Sequence, residues 1–439
     1  MYRISLIGQL KQLLIDIRSS LWFVPTLIVA SAVALAFGLI EVDKRVDQQL
    51  RDWWPRFFVA QPEGTLAMLS TIAGSMATVA GVAFSITIVA LALASGQYTS
   101  RVLRNFMRDP ANQVVLGVFV GIYIYCLLVM RNISSGNNEA FVPALAVLGG
   151  IVLALVGIAV FIFFIHHIAT SIQAEEIIAS IMRDTVKVID RLFPQELGEE
   201  ADLAAEQLES TQTELTWQPV PALTTGYIQT VDIEVLLAFA REQGAVLRME
   251  YGVGDFATEG RPLASLAVEQ APDKVTIQAL NRIYAIDGYR TTDQDVLFGI
   301  RQLVDIALKA LSPGINDTTT AVACIENLSV ILQRCAARRI ESPYRFDHGE
   351  LRVIAQGPTF ERLIALAFDQ ILENAEGNTE IITRMLTAIG QVVEVARNTE
   401  RRCMLMKHVC VIAEVADRSA KSDYARRIIE EHVARVRAL

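Results

Sequence analysis

The stretch GTLAMLSTIAGSMATVAGVAFSITIVALALASGQYTS, residues 64–100, decides the fold, because it contains no Asp, Glu, Lys or Arg. A continuous helix of that length, at about 1.5 Å per residue, exceeds the ~30 Å hydrocarbon core of a bilayer. We read it as the membrane-spanning centre of the chain. Thr71, Ser75, Thr78, Val82, Ser85, Val89, Ala92, Ser95 and Thr99 follow in steps of three and four, with Gly74 and Gly81 alongside, so they share one helix face. The opposite face reads as Leu, Ile, Val and Met. Two readings fit such a stripe. It packs closely against another helix, with hydroxyls bonding across the contact, or it lines a narrow wet path. Thr71, Ser75, Thr78, Ser85 and Ser95 are the pore-lining candidates on the second reading.

Composition frames the rest. The 439 residues are 52% hydrophobic with mean hydropathy +0.38, more apolar than a soluble chain and less than an all-membrane transporter. A membrane half and a soluble half follow. The net charge of −9 belongs mainly to the soluble half, so no basic surface points to nucleic acid. Cys126, Cys324, Cys335, Cys403 and Cys410 are scattered, without a CxxC or a metal-ligand pairing with histidine. Free thiols in a reducing cytoplasm are the expectation.

Residues 1–20 read as an amphipathic surface helix with Arg3, Lys11 and Arg18. Residues 21–40 form the first span. Residues 41–63 carry both signs of charge with Trp53, Trp54, Phe57 and Phe58, ring types that settle at a headgroup boundary, and are expected to hug the outer surface as a loop. After the central helix, Arg101, Arg104 and Arg108 mark its exit, and Asp109-Pro110 breaks the chain. Residues 111–130 make a third span and 140–174 a fourth, with His166 and His167 near its end read as a boundary pair rather than a proton relay. The four-span domain is therefore 21–174. Inner segments hold six basic residues against five in the outer loops, so the positive-inside rule is nearly silent. The even span count and the lack of a disulfide framework place both termini in the cytoplasm.

Beyond the spans, a helix to Leu192 continues the fourth span, and an acidic segment completes a helical linker over 175–216. Residues 217–270 alternate short strands with Gly and Pro turns: GYIQTVD from Gly226, a helix over 233–243, AVLRMEY from Ala245 to Tyr251, then GDF and GRPLASL. This small β module resembles the barrel-sandwich hybrid of lipoyl and biotinyl carrier domains. Such carriers need a lysine at a hairpin tip, and no lysine occurs between Lys187 and Lys274, which leaves a structural or binding module. Residues 271–439 read as mainly helical. DQDVLFGIRQLVDIALKAL, residues 293–311, is an amphipathic helix with an Asp N-cap, and SPGIND, residues 312–317, turns into the next helix, capped by Asn316 or Asp317. Either the segment is an αα-hairpin, or Arg290, Asp295, Arg301, Asp305, Asn316 and Asp317 converge with the turn's exposed amides on a ligand site. A short strand over 351–355 and helices over 360–373, 379–398, 401–420 and 422–438 finish the chain as a bundle. No P-loop, zinc pattern, nucleophile elbow or paired catalytic carboxylates occur, so neither catalytic nor metal-binding residues are assigned, no cofactor is implied, and the chain is not read as an enzyme.

A small-residue second span running into SGQYTSRVLRNF, then GYIQTVD, GDF, and QDVLFGIRQLVDIALKALSPGINDTTTA, resembles the bacterial predicted-membrane-protein family known as domain of unknown function twenty-two fifty-four. The resemblance covers nearly the whole chain. It implies a multi-pass protein of the bacterial inner membrane and brings no assigned activity. The fold class expected is thus a mainly α membrane protein, four transmembrane helices followed by a cytoplasmic α+β region. Its partners are the lipid bilayer, further copies of itself as a homo-oligomer, and a small ligand or ion. Two functions stay open: an ion channel or pore with a cytoplasmic regulatory domain, or a membrane-anchored sensor or scaffold. The spans as bounded here contain no Asp, Glu, Lys or Arg, which disfavours a proton- or ion-coupled carrier.

Overall fold

The computed structural model describes residues 22–53, 62–97, 109–134, 141–193, 215–340 and 343–439, in two compact units, Met1–Gln173 and Ala174–Leu439. The expected N-terminal surface helix, the rings of Trp54, Phe57 and Phe58, the arginines at 101, 104 and 108, and the acidic stretch 194–214 lie outside the described residues.

Four helices of the first unit, α1 (Phe23–Trp53), α2 (Pro62–Gln97), α3 (Pro110–Arg131) and α4 (Ala144–Ser171), are long and apolar enough to cross a membrane. The centre of the group is α3, not the small-residue helix α2 as expected. It packs against all three others, and 50% of its apolar window is buried against 17–22% for theirs. Gly117 and Gly121 make this fit: a Cβ on Gly117 would lie 2.9 Å from both Pro25 Cα and Ile28 Cδ1 of α1. Phe119 meets Phe161 of α4 edge to face, ring centres 6.3 Å apart. Gly157 of α4 lies against Ile122 and Met76. Small residues thus bring these helices together where they touch, as lipid-embedded packing requires.

Two polar contacts tie the unit. The Asp43 carboxylate of α1 accepts from the amides of Leu145 and Ala146, each at 3.0 Å. These open α4, whose preceding Pro143 supplies no side-chain cap. Tyr125 donates to the Ala146 carbonyl at 2.6 Å. Toward the other end of α4, Asp109 caps α3 through the Ala111 amide at 2.9 Å, and its second oxygen is hydrogen-bonded to His167 Nε2 at 2.5 Å. His167 is therefore a tie between helices, whereas the sequence suggested only a boundary residue. A second correction concerns residues 41–53, expected in a loop: α1 continues through them, because Asp43 must reach α4 and Glu41 pairs with Arg45 one turn on.

In the second unit, α5 (Ala174–Leu192) is neither a continuation of α4 nor a linker. Ile172 and Gln173 separate the two helices, and Ile177, Ile178, Ile181, Val188 and Ile189 are buried. They pack on α8 (Val296–Leu311) and α9 (Thr318–Ala337). Gly299 of α8 lies against Thr185, leaving no room for a side chain, and Asp190 binds Arg334 at 2.6 and 2.9 Å and Arg338 at 3.1 Å.

The β region has two sheets. Strands β1 (Trp217–Pro221), β5 (Pro262–Ala267), β3 (Leu247–Met249), β8 (Glu350–Ile354) and β7 (Tyr344–Asp347) form the larger in that order, and β4 (Phe256–Ala257), β2 (Gly226–Val231) and β6 (Tyr284–Asp287) the smaller. Only the β3–β8 pairing is parallel. The sheets share one core with α6 (Ile233–Glu242) and α7 (Lys274–Asn281), built on Ile228, Leu236, Leu247, Leu263, Leu280 and Val353. The β module therefore does not close at residue 270: β6 and β7, which were not expected, and β8, which matches the short strand expected over 351–355, complete it, because β3 would otherwise leave an open edge. Helices α10 (Phe360–Asn374), α11 (Thr379–Val395), α12 (Thr399–Ser419) and α13 (Asp423–Arg437) finish the bundle. Buried Arg401 donates to the carbonyls of Cys335, Ala336 and Arg338 at 2.8–3.0 Å, closing the C-terminus of α9.

Two outcomes test this account. Asp43→Ala strands two amides in an apolar setting and should cost at least a helix cap, about 1–2 kcal/mol, read as a lower melting temperature in detergent, while Glu41→Ala should change little. The Arg334 hydrogen bond holds the Asp190 carboxyl below the usual carboxylate range. Its contribution is therefore present above the unfolded value of about 3.9 and lost as pH falls through the lowered folded value. Asp190→Asn should flatten the acid side of the stability profile and leave its alkaline side in place.

Candidate functional site

The six residues expected to converge divide among three places along α8. At its N-terminus Asp295 is the cap, accepting from the Phe298 amide at 2.9 Å, while Arg290 donates to its other oxygen at 2.9 and 2.6 Å. The Asp295 side chain is 2% exposed, and burial pushes its carboxyl up against the opposing pull of Arg290. Arg290 also stacks over Phe298, 5.3 Å from the ring centre. Gly254, at φ +88°, passes so close that a Cβ would strike the Asp295 carboxylate and the Arg290 guanidinium. The GDF turn of the β module is thus fitted onto the ion pair. Asp255 beside it accepts from the Gly252 amide and lies 3.6 Å from Arg362. Thr291 is 6% exposed, and its hydroxyl has no hydrogen-bond partner among the described residues.

Halfway along the helix, Arg301 pairs with Asp305 at 2.8 Å and donates to Gln370 at 2.6 Å. The turn of residues 312–317 lies beyond the far end, about 24 Å from Asp295 for sixteen residues of helix. Three of its amides are already bonded: those of Ile315 and Asn316 to the Ser312 carbonyl and that of Asp317 to Ala310. Asp317 caps α9 through the Thr320 amide at 3.0 Å and takes the Thr320 hydroxyl at 2.6 Å. Asn316 sits at φ 51°, a conformation asparagine tolerates, and does no capping. The proposed convergence is corrected by distance and by the occupied amides. What remains is an ion pair at one end and a capped turn at the other.

On α2 the stripe is not buried within the subunit. The face toward α3 and α4 is Leu69, Ala73, Met76, Ala83 and Ala90, richer in alanine than expected. Thr71, Ser75, Thr78 and Ser85 are exposed on the opposite side, and the Ser95 side chain lies outside the described residues. Between Gly64 and Gly81 every exposed residue after Glu63 is Gly, Ala, Ser or Thr, and added Cβ atoms at Gly74 and Gly81 would meet nothing within 4 Å. The Thr71 and Thr78 hydroxyls donate to the carbonyls of Ala67 and Gly74 at 2.8 and 2.9 Å, so the helix itself satisfies their protons. Sequence reasoning missed Asp43, Asp109, Gly254 and Thr291. For Asp43 the available signal was a lone carboxylate just past an apolar run.

Asp317→Ala should destabilise the second unit by about 1 kcal/mol, whereas Asn316→Gly should be neutral or slightly stabilising because glycine accepts positive φ. Urea unfolding measures both, and an equal loss in the two variants would contradict the division of roles.

No solved structure matches the chain. A protein of Mycobacterium tuberculosis (strain CDC 1551 / Oshkosh) named Uncharacterized protein MT1328 is 30% identical over 443 residues, covering 98% of this chain and 82% of its own length. Uncharacterized protein Rv1290c of Mycobacterium tuberculosis (strain ATCC 25618 / H37Rv) is 29% identical with the same coverage. The family described as "Predicted membrane protein (DUF2254)" matches residues 18–391. The four apolar helices and this match agree, and the chain belongs to that family of membrane proteins.

Proposed function

We propose that the protein is a homo-oligomeric ion channel or pore in which the outward face of α2 turns toward the symmetry axis and the unit Ala174–Leu439 regulates it. The observation that carries this reading is a contrast between outward faces. Those of α1 and α4 are bulky and apolar, with Leu27, Leu35, Phe37, Leu155, Ile158 and Ile162 exposed, as suits lipid. That of α2 is small and hydroxylated over its first half, as suits another helix or water. Because the Thr71 and Thr78 protons go to the helix backbone, the hydroxyl oxygens offer lone pairs outward. Such a lining favours a cation or water over an anion.

A membrane-anchored sensor or scaffold is the second reading. The buried hydroxyl of Thr291 beside the Arg290–Asp295 pair favours it, and melting-temperature shifts against a metabolite panel would detect a ligand there. On either reading the protein is no enzyme. It resides in the bacterial inner membrane with both termini cytoplasmic, and the β module acts structurally, like a barrel-sandwich hybrid without the carrier lysine. Reporter fusions after Leu439 should be cytoplasmic and after Asn137 external.

The decisive measurement is cation flux from liposomes alongside oligomer size in detergent. Thr78→Leu should abolish flux while leaving the oligomer intact, since an apolar constriction dewets, and Ser75→Ala should be nearly silent. Loss of assembly in Thr78→Leu, or no flux through assembled wild-type protein, would remove the pore.

A further inference from the structure

The last long helix pair presents a surface the pore reading does not use. Helix α12 buries Arg401, Leu405, Val409, Ile412 and Ala416. Its outer side carries Glu400, Cys403, Lys407, Cys410 and Glu414, all exposed, with exposed Lys421 just past its end. Steps of three and four put the five helical residues on one line, and Lys421 follows two residues after the helix ends at Ser419. The charges along that line are symmetric in position and opposite in sign about the point between Cys410 and Val411: Lys407 and Glu414 lie equally far from it, as do Glu400 and Lys421.

We propose that this face is a contact between two copies of the chain, with the two α12 helices antiparallel about a two-fold axis between Cys410 and Val411. In that alignment Lys407 meets Glu414 of the second copy and Glu400 meets its Lys421, and the two-fold repeats each pair. Cys410 and Val411, the latter 49% exposed, form the apolar centre. Arg418 falls opposite Cys403, so along α12 itself no like charges oppose one another. Exposed ion pairs are individually weak, so the contact depends on copies already held together in one membrane, where effective concentration is high. It therefore rests on the homo-oligomer half of the proposed function and adds to it a second contact, outside the spans. Arg437 of α13 reaches the Cys410 sulfur at 3.8 Å but leaves the thiol exposed.

The alignment specifies which thiols meet. The two Cys410 residues are offset by about 1.5 Å along the axis and the two Cys403 residues by about 22 Å. A short bismaleimide applied to the full-length protein in liposomes should therefore give a cross-linked dimer with wild type and with Cys403→Ser, and none with Cys410→Ser. Lys407→Glu should lower the yield tenfold or more, and the double variant Lys407→Glu/Glu414→Lys should restore it, because the swapped charges pair again. An undiminished yield in Lys407→Glu, or no restoration in the double variant, overturns the contact. So does an absent cross-link in protein that still migrates as an oligomer in detergent, a result that leaves assembly through the spans standing.

Discussion

The amides that open α4 have no acceptor within their own helix, and the first unit depends on how they are satisfied. An orphaned amide in hydrocarbon costs several kcal/mol, and proline before the helix offers nothing in return. The Asp43 carboxylate supplies both bonds from α1. This explains why a carboxylate is buried in an otherwise apolar group and why α1 stays helical beyond its hydrophobic run. It also fixes the register of α1 against α4, while α3 fits between them through Gly117 and Gly121. At the opposite end Asp109 does the same for α3 and holds His167.

The second unit repeats this dependence on helix ends. Asp295, Asp317, Thr359, Asn378, Asn398 and Ser422 each accept from a first-turn amide of the helix they precede. In water such caps only mark boundaries. At Asp295 the cap is also buried and paired with Arg290, and the β module presses Gly254 onto it, so one carboxylate joins sheet and bundle. The Arg401 guanidinium does the complementary work at the C-terminus of α9.

These ends account for what was legible in the sequence. The spans, the bundle helices and strands such as Gly226–Val231 follow from apolar period and from residues that act on their own neighbours, so they could be read locally. The misreadings concern partners far away in sequence. Asp43 looks like the first residue of a loop until α4 is placed against it. The strand at 351–355 could be read, but its partner Tyr344–Asp347 and its place in the sheet beside β3 could not. The six site candidates lie close in sequence and two of them form a true pair, but sixteen helical residues carry the turn away from Asp295. Thr71, Ser75, Thr78 and Ser85 of the α2 stripe are exposed on the side away from α3 and α4, and that direction is the part no pattern could supply.

The burial of α5 bears on how the second unit can be isolated. A fragment begun at residue 194 or 217, where composition suggests a domain edge, would omit the helix that covers Gly299 and supplies Asp190 to Arg334 and Arg338. It would expose the flank of α8 and α9 that Ile178, Ile181 and Ile189 cover. The second unit is complete only from Ala174, and the last helix of the first unit ends at Ser171, so Ile172 and Gln173 are the residues between the two helices at which a cut would leave α5 whole.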